Sequence, residues 1–423
     1  MLSIEDNERL VRVGLGKPAG AMFRRYWQPA FLADELPDND GAPLRVRLLG
    51  EDLIAFRDTL GRVGLVDAYC PHRRAPLFFG RNEDCGLRCV YHGWKFDVEG
   101  VCVDMPSEPA DSSFKDKVRL ASYPTVERGG LVWAYLGPKD RMPAPPDYEW
   151  LRAPASHRFV SKVMEHCNYL QGLEGGLDSS HSSFLHNNRL GDRSHLRNRD
   201  GAPRIEVETT DCGFLSIATR RVDDEKNYVR TYHYILPSHQ IRSGVVSRTG
   251  ERLDVPMFHG HIWVPIDDEN SWVYNWHCAY DRGVPFTAAV AEGYEAKDGR
   301  AKEDFIPGTF ELKQNKANDY LIDRQVQKTQ TYTGIKGVNT QDFALQEGMG
   351  PIVDRSKEHL GTSDKGVIAM RRLLLEAVAV VERGGVPRGA EAASYRSVRP
   401  HDAVIAADAD WRQAFGVELK AKW

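Results

Sequence analysis

The first half of the chain alternates apolar and polar residues in short runs, as β-strands with one buried face do. The pattern is clearest in LRVRLLGEDLIAFRDTLGRVGLVDAYC (44–70), where Gly and Asp separate the runs. YHGWKFDVEGVCVDMP (91–106) predicts strand, turn and strand, and RLASYPTVERGGLVWAYLG (119–137) adds two strands that would close a sheet. We therefore predict an all-β domain over residues 41–150, preceded by a helical and then turn-like segment over residues 1–40.

The second half mixes strand and helix periodicities, which predicts an α+β domain over residues 156–423. The stretch KDRMPAPPDYEWLRAPAS (139–156), rich in Pro and Ala, is typical of a linker. SDKGVIAMRRLLLEAVAVVE (363–382) has apolar residues at helical spacing and ends before Gly384. The predicted strands are RIEVETTDCGFLSIATRRV, NYVRTYHYILP and FHGHIWVPIDDENSWVYNWHCAY, with a hairpin turn at DDEN.

Chain length, net charge and cysteine content exclude several classes of protein. A chain of 423 residues is long enough for two or three domains. The net charge of −4 is a poor match to nucleic acid, and no apolar run approaches the roughly 18 residues that span a bilayer. The acidic N-terminus does not resemble a signal peptide. Seven cysteines, an odd number in a long chain, argue against a disulfide framework, so we predict a cytoplasmic protein.

Two short loops carry one cysteine and one histidine each. Cys70-Pro71-His72 is followed, after sixteen residues, by Cys89-Val90-Tyr91-His92. Structural zinc accepts two Cys and two His, but zinc fingers group Cys with Cys and His with His. In a Rieske [2Fe–2S] cluster two Cys hold one iron and two His hold the other, so each loop would supply one ligand to each iron. The pairing favours the Rieske cluster, with structural zinc as the alternative.

The same residues carry a resemblance to a known family. C-P-H-R followed by C-x-Y-H-G-W-x-F-D-x-x-G resembles the Rieske domain of aromatic-ring-hydroxylating oxygenases, and RRYWQP (24–29) resembles their N-terminal segment. The resemblance covers nearly the whole chain and is greatest to the phthalate-dioxygenase-like group of α-subunits. It implies that the C-terminal domain has a helix-grip (START/Bet v1-like) fold, with one curved antiparallel sheet, a long C-terminal helix and an iron between them.

A second candidate metal site lies in HCNYLQGLEGGLDSSHSSFLH (166–186), where Asp178, His181 and His186 form D-x2-H-x4-H. On a helix Asp178 and His181 would share a face, whereas His186 meets the same ion only if the helix kinks or ends. Two His and one carboxylate form the facial triad of non-haem Fe(II) oxygenases. A zinc hydrolase using His181, His186 and Asp342 is the alternative from another class.

The resemblance supplies the third ligand and the route for electrons. It implies that His181, His186 and Asp342 bind Fe(II), with Asp354 and Asp364 as rivals for the carboxylate position. It gives Asp178 a different role, which is to orient His181. Asp178 would also bridge to a cluster histidine of a neighbouring subunit, and the resemblance favours His92 over His72 as that histidine.

The implied partners follow from that electron route. The assembly would be a homotrimer, or two stacked trimers forming a hexamer. The chain has no G-x-G-x-x-G after a strand. We therefore predict a separate NAD(P)H-dependent flavin/iron-sulfur reductase as the electron donor.

The predicted reaction is hydroxylation of a phthalate-like aromatic acid with O2, as cis-dihydroxylation or monohydroxylation. The alternative by the same iron chemistry is O- or N-demethylation of a methoxy-aromatic or related aryl compound. An aromatic carboxylate substrate needs an apolar pocket for its ring and arginine side chains that bind the carboxylate through paired hydrogen bonds. We predict that Arg204 and Arg242 bind the carboxylate. His259 and His261 share one face of a strand and are predicted to be packed or hydrogen-bonded.

Overall fold

The structure, a computed structural model, describes residues 2–391 and 393–423. The chain forms two compact units, Val13–Pro146 and Asp147–Trp423, the second completed by the N-terminal residues up to Arg12. The helices of the described residues are α1 Ile4–Val11, α2 Pro18–Phe23, α3 Glu149–Arg152, α4 Tyr169–Leu177, α5 Leu196–Arg199, α6 Ala288–Asp298, α7 Arg324–Thr329, α8 Val338–Gln346, α9 Lys365–Glu382 and α10 Trp411–Phe415. The strands are β1 Gln28–Leu32, β2 Leu44–Leu48, β3 Glu51–Arg57, β4 Val63–Asp67, β5 Arg81–Glu83, β6 Gly86–Arg88, β7 Lys95–Phe96, β8 Cys102–Asp104, β9 Thr125–Arg128, β10 Leu131–Ala134, β11 Arg158–Glu165, β12 Arg204–Thr209, β13 Gly213–Arg221, β14 Lys226–Ile235, β15 His239–Val246, β16 Arg252–Pro265, β17 Ser271–Ala279 and β18 Asp402–Ala406.

The unit Val13–Pro146 is built from three small antiparallel sheets, in the orders β2-β3-β4, β1-β10-β9 and β5-β6-β7-β8. The alternation predicted for residues 44–70 is present as β2, β3 and β4, whose inner faces are buried. One core includes Phe56, Leu87 and Phe96 and continues to the two cysteines of the paired loops. The cluster loops therefore project from a packed β-core, which fixes their spacing.

Strand β1 departs from the prediction for residues 1–40. The sequence predicted a turn-like segment after the first helices, but Gln28–Leu32 pairs antiparallel with β10. All five residues of β1 are buried, so the strand lacks the alternation by which half-exposed strands are recognised.

The second unit contains one antiparallel sheet in the order β11-β17-β16-β15-β14-β13-β12, with β18 paired to β14. The predicted hairpin at DDEN joins β16 to β17, and the Ile266 amide donates to the Asn270 carbonyl at 2.9 Å. Helix α4 lies over β15 and β16 and packs against α8, while α9 packs on β12, β13 and α1. The helix predicted over residues 363–382 is α9. A sheet with helices on one face creates the space in which a site can be built.

Two segments of this unit differ from the predicted pattern. Strand β15 was not among the predicted strands, because several of its polar side chains face the cavity described below and hide its alternation. The end of the predicted linker is also packed: Trp150 is fully buried and stacks on Trp276, with ring centroids 4.8 Å apart. Over residues 2–391 and 393–423, no helix is both long and apolar enough to cross a bilayer.

Candidate functional site

The paired loops of the first unit bury their sulfurs and turn their imidazoles outward. Cys70 and Cys89 are 1% and 3% exposed, whereas His72 is exposed and His92 is half-buried. The two imidazole rings lie 4.4 Å apart between centroids, and His72 stacks on Trp94 at 4.5 Å. Each loop thus has one buried sulfur and one imidazole that is at least partly exposed.

Backbone hydrogen bonds hold each loop in a tight turn. The Arg74 amide donates to the Cys70 carbonyl at 2.8 Å, and the Gly93 amide donates to the Cys89 carbonyl at 2.9 Å. Gly93 has a φ of 78°, and a Cβ there would lie 2.6 Å from the Pro106 ring. Glycine is therefore required beside His92 on both conformational and steric grounds.

The donor set fits a two-iron cluster. Burial raises the pKa of Cys70 to about 11, with Cys89 adding to the rise, so a metal that binds this sulfur must displace its proton. Two buried sulfurs on one side and two outward imidazoles on the other match the ligand division of a Rieske centre. A zinc finger pairs its ligands differently.

The second candidate site begins where helix α4 ends. The helix stops at Leu177 with Asp178 as its C-cap, and His181–Ser183 forms a short 3₁₀ turn. The prediction had placed Asp178 and His181 on one helical face; they lie instead just past the helix. The Asp178 carboxylate accepts from the amides of Ser180 at 2.7 Å and His181 at 3.2 Å, which fixes the turn.

His181, His186 and Asp342 converge at one point. Their possible ligand atoms all lie within 4.8 Å of one another. The Nε2 atoms of the two histidines are 3.1 Å apart, and Asp342 Oδ1 is 3.7 Å from the first and 3.4 Å from the second. Asp342 comes from α8, so the site joins the end of α4 to a helix far along the chain.

Neighbouring side chains orient both imidazoles. His186 Nδ1 lies 2.9 Å from Gln341 Oε1, so the ring donates from Nδ1 and keeps Nε2 free of hydrogen. Gln341 is fully buried, and its amide donates to Asn188 and to the Ile335 carbonyl. Burial lowers the pKa of His186 to about 4, which keeps the ring neutral. Gln341 was missed by the prediction, although it immediately precedes Asp342 in the sequence.

Asp178 approaches the other edge of His181. Its Oδ2 lies 3.4 Å from His181 Nδ1, a long contact that becomes a hydrogen bond with a small rotation. Burial raises the pKa of Asp178, but contacts with His181 and two backbone amides lower it more, so the group is a carboxylate. The site therefore offers two imidazole nitrogens and one carboxylate oxygen, and Gln341 and Asp178 contact the far side of the two imidazole rings. This set of donors fits a divalent iron.

The rival carboxylates lie elsewhere. Asp354 caps the turn Arg355–Lys357 by accepting from the Ser356 amide at 3.1 Å, and Asp364 accepts from the Gly361 amide at 2.6 Å. Neither joins the group formed by His181, His186 and Asp342.

A cavity of about 480 Å³ opens beside His181, His186 and Asp342. Its lining is rich in cationic and aromatic groups, among them Arg197, Arg230, Arg242, Tyr232, His259 and His277. No salt bridge joins Arg197, Arg230 or Arg242 to a carboxylate within the described part of the chain. This volume is within the usual range for small-molecule sites.

Arg242 lines this cavity, whereas Arg204 does not. Arg242 donates to His259 Nδ1 at 3.4 Å and to His261 Nε2 at 2.5 Å, so both histidines are hydrogen-bonded, as predicted. Arg204 is exposed on β12, an edge strand, and the structure does not bring it to the cavity. Arg197, on the short helix α5, faces the cavity instead and was missed because its segment carries no periodic signal.

Two family models match the chain: the Rieske [2Fe-2S] domain over residues 26–124, and a domain described as LigXa C-terminal domain like over residues 134–422. The chain is 40% identical to the phthalate 4,5-dioxygenase oxygenase subunit of Pseudomonas putida, over 97% of this chain and 94% of that one. It is 36% identical to the 3-chlorobenzoate-3,4-dioxygenase oxygenase subunit of Comamonas testosteroni, over 98% of each.

A third relative, the 5,5'-dehydrodivanillate O-demethylase oxygenase subunit of Sphingobium sp., is 35% identical over 92% of this chain and 83% of that one. Among solved structures, dicamba monooxygenase bound to dicamba has a TM-score of 0.61 at 19% identity, covering 85% of this chain and 98% of that one. At that identity the likeness shows the fold alone.

Proposed function

Because this chain belongs to the Rieske oxygenases, whose oxygenase subunits pair a [2Fe–2S] domain with a catalytic domain, we propose that it hydroxylates an aromatic acid. The enzyme carries a Rieske cluster and a mononuclear iron. We assign the cluster to Cys70, His72, Cys89 and His92, and the iron to His181, His186 and Asp342. The zinc-hydrolase alternative is set aside, since the family is one of oxygenases.

One observation carries the proposal: two imidazoles and a carboxylate converge at the edge of a cavity that is lined by several guanidinium groups. The iron supplies reductive activation of O2 when it is bound. The chain supplies the rest: His181, His186 and Asp342 leave the cavity side open, while Gln341 and Asp178 set the ring orientations. The helix-grip assignment, with domains at 41–150 and 156–423, is part of this proposal.

The cavity favours an anionic aromatic substrate. Burial, together with the nearby charge of Arg230, lowers the pKa of Arg242 and the pKa of Arg197 to about 10, so each remains charged near neutrality. Such uncompensated guanidinium groups bind a carboxylate through paired hydrogen bonds. We therefore keep Arg242 as one carboxylate clamp and replace Arg204 by Arg197 as the second.

Electrons come from a separate reductase, since the chain is an oxygenase subunit. We propose that this reductase is an NAD(P)H-dependent flavin/iron-sulfur protein. In a homotrimer, Asp178 would connect His181 to His92 of a neighbouring subunit. Its position beside His181 Nδ1 and its ionised state support that role.

Demethylation of a methoxy-aromatic acid is the second candidate. It is favoured by the likeness to the 5,5'-dehydrodivanillate O-demethylase subunit, which extends over most of both chains. Both reactions need the same metal ligands and differ in which substrate carbon faces the iron.

The test is product analysis with purified protein, a surrogate reductase and a panel of aromatic acids, methoxy-aromatic acids and their neutral methyl esters. We expect turnover of acids with consumption of O2 matched to product, and little turnover of esters. Formaldehyde release from the methoxy acids alone would identify a demethylase. Turnover of esters in preference to acids would overturn the assignment of the arginines.

A further inference from the structure

Arg220 is a buried cation that holds the loop between the two histidines. It lies on β13, is fully buried, and donates to the Ser179 carbonyl at 2.6 Å and to the Ser179 hydroxyl at 3.1 Å. A longer contact of 3.4 Å reaches the Ser183 hydroxyl. Ser179 follows Asp178, and Ser183 lies between His181 and His186, so one guanidinium group supports the whole loop 178–186.

Within the described chain, no carboxylate forms a salt bridge with Arg220 or with its buried neighbour Arg230. A buried cation without a counter-charge is costly, so an anion is expected close by. The nearest ionisable group that touches this network is the phenol of Tyr232, whose oxygen lies 3.2 Å from Ser179 Oγ and 3.5 Å from Arg230 Nη1.

Two donors can point at the Tyr232 oxygen. Arg230 can only donate to that oxygen. Ser179 Oγ accepts from Arg220, so its own hydrogen can also point at the Tyr232 oxygen. A phenolate accepts both bonds and places a negative charge beside guanidinium groups that form no salt bridge in the described part of the chain.

We infer that Tyr232 is a positioning residue: its phenolate accepts from Arg230 and from the Ser179 hydroxyl that Arg220 also holds, and so fixes Ser179 and the loop that carries Asp178, His181 and His186. The role in catalysis rests on the proposed function; the ionisation and the support of the loop do not. It adds to the proposed reaction a residue that is not a metal ligand and acts through the loop.

The electrostatics agree with the geometry. Burial raises the pKa of Tyr232, but Arg230, Arg197 and Arg220, with the Ser179 hydrogen bond, lower it to about 7. The neighbouring Tyr228 behaves in the opposite way: burial, together with Asp402, raises its pKa. The charged and titratable groups that face Tyr232 are Arg197, Arg220, Arg230, Arg242 and Tyr228, with Asp402 behind Arg230.

The first test is an ultraviolet difference titration of the wild-type protein against Tyr232→Phe, with Tyr228→Phe as the matched control. The cluster absorbs equally in all three and cancels in the differences. We expect one phenolate to appear with a pKa near 7 in the wild type and in Tyr228→Phe, and to be missing in Tyr232→Phe. Absence of that transition from the wild type, or its survival in Tyr232→Phe, would overturn the inference.

The second test is hydrogen–deuterium exchange of the peptide covering residues 178–186. Loss of one charge-assisted hydrogen bond should speed exchange in Tyr232→Phe by roughly tenfold above the pKa, with little difference below it. Tyr228→Phe should match the wild type. Equal exchange in wild type and Tyr232→Phe above that pH would show that the loop is held without Tyr232. Neither readout involves turnover, so a failure of the proposed reaction would be seen separately in the product assay.

Discussion

The two candidate metal sites are built in opposite ways. The cluster loops draw all four donors from residues 70–92, and their own turns set the donor spacing. The mononuclear site draws His181 and His186 from the end of α4 but Asp342 from α8, which follows all of strands β12 to β17. A local site depends on its own loop, whereas an assembled site depends on every element that brings its parts together.

The largest effect is expected from removing the distant ligand. Asp342→Ala should lose the mononuclear iron, and with it all turnover, while keeping the cluster and its absorbance. The loss of iron affinity should exceed the roughly 10- to 100-fold typical of outer contacts. Iron analysis and the visible spectrum measure the two sites independently.

Asp354→Ala is the matched control, because Asp354 only caps a turn. This variant should keep both metals and most activity. If Asp354→Ala lost the mononuclear iron and Asp342→Ala kept it, the site would have to be rebuilt around a different carboxylate.

The contrast explains how far the sequence could be interpreted. The cluster loops could be predicted because their chemistry is contained in one short motif with unusual pairing. His181 and His186 were found for the same reason. Asp342 needed a family resemblance, since no local signal distinguishes it from Asp354 or Asp364. Strand β1 was missed because all its residues are buried and alternation is absent.

The next largest effect is expected from changing Asp178, which we propose connects the cluster to the mononuclear iron. Asp178→Asn should retain the cluster and the mononuclear iron yet lose nearly all coupled turnover, because the amide oxygen still accepts from the Ser180 amide while the charge beside His181 is removed. Metal content, cluster colour and single-turnover oxidation of the reduced cluster would be measured. Loss of the mononuclear iron in this variant would make Asp178 a ligand instead.

A smaller effect should follow from Gln341→Leu, which removes the acceptor for His186 Nδ1 without changing a ligand. Outer contacts of this kind change metal affinity by roughly 10- to 100-fold. Iron titration of the stripped protein would measure the change. Gln325→Leu, at an exposed position on α7, provides the control and should leave the affinity unaltered. If Gln341→Leu and Gln325→Leu bound iron with equal affinity, the contact between Gln341 and His186 would not contribute to iron binding.

The cavity shows why site residues on irregular segments are hard to predict from the sequence. Arg242 and Arg204 both looked suitable because both lie near predicted strand ends. Only their places in the sheet separate them: Arg242 is on a central strand over which α4 lies, and Arg204 is on the edge strand. Arg197 belongs to a four-residue helix without periodicity, so its approach to the cavity depends on the fold.

The smallest predicted change separates these two arginines. Arg242→Met should raise KM for an aromatic acid about 10- to 100-fold, the worth of one hydrogen bond between charged groups at roughly 1.5–3 kcal/mol, with less effect on kcat. Arg204→Met should leave both constants within error, because the side chain is exposed on β12. Steady-state kinetics over a range of acid concentrations distinguish the outcomes. A rise in KM in Arg204→Met as large as that in Arg242→Met would place the substrate carboxylate outside the cavity, and the assembled site would then extend to the edge of the sheet.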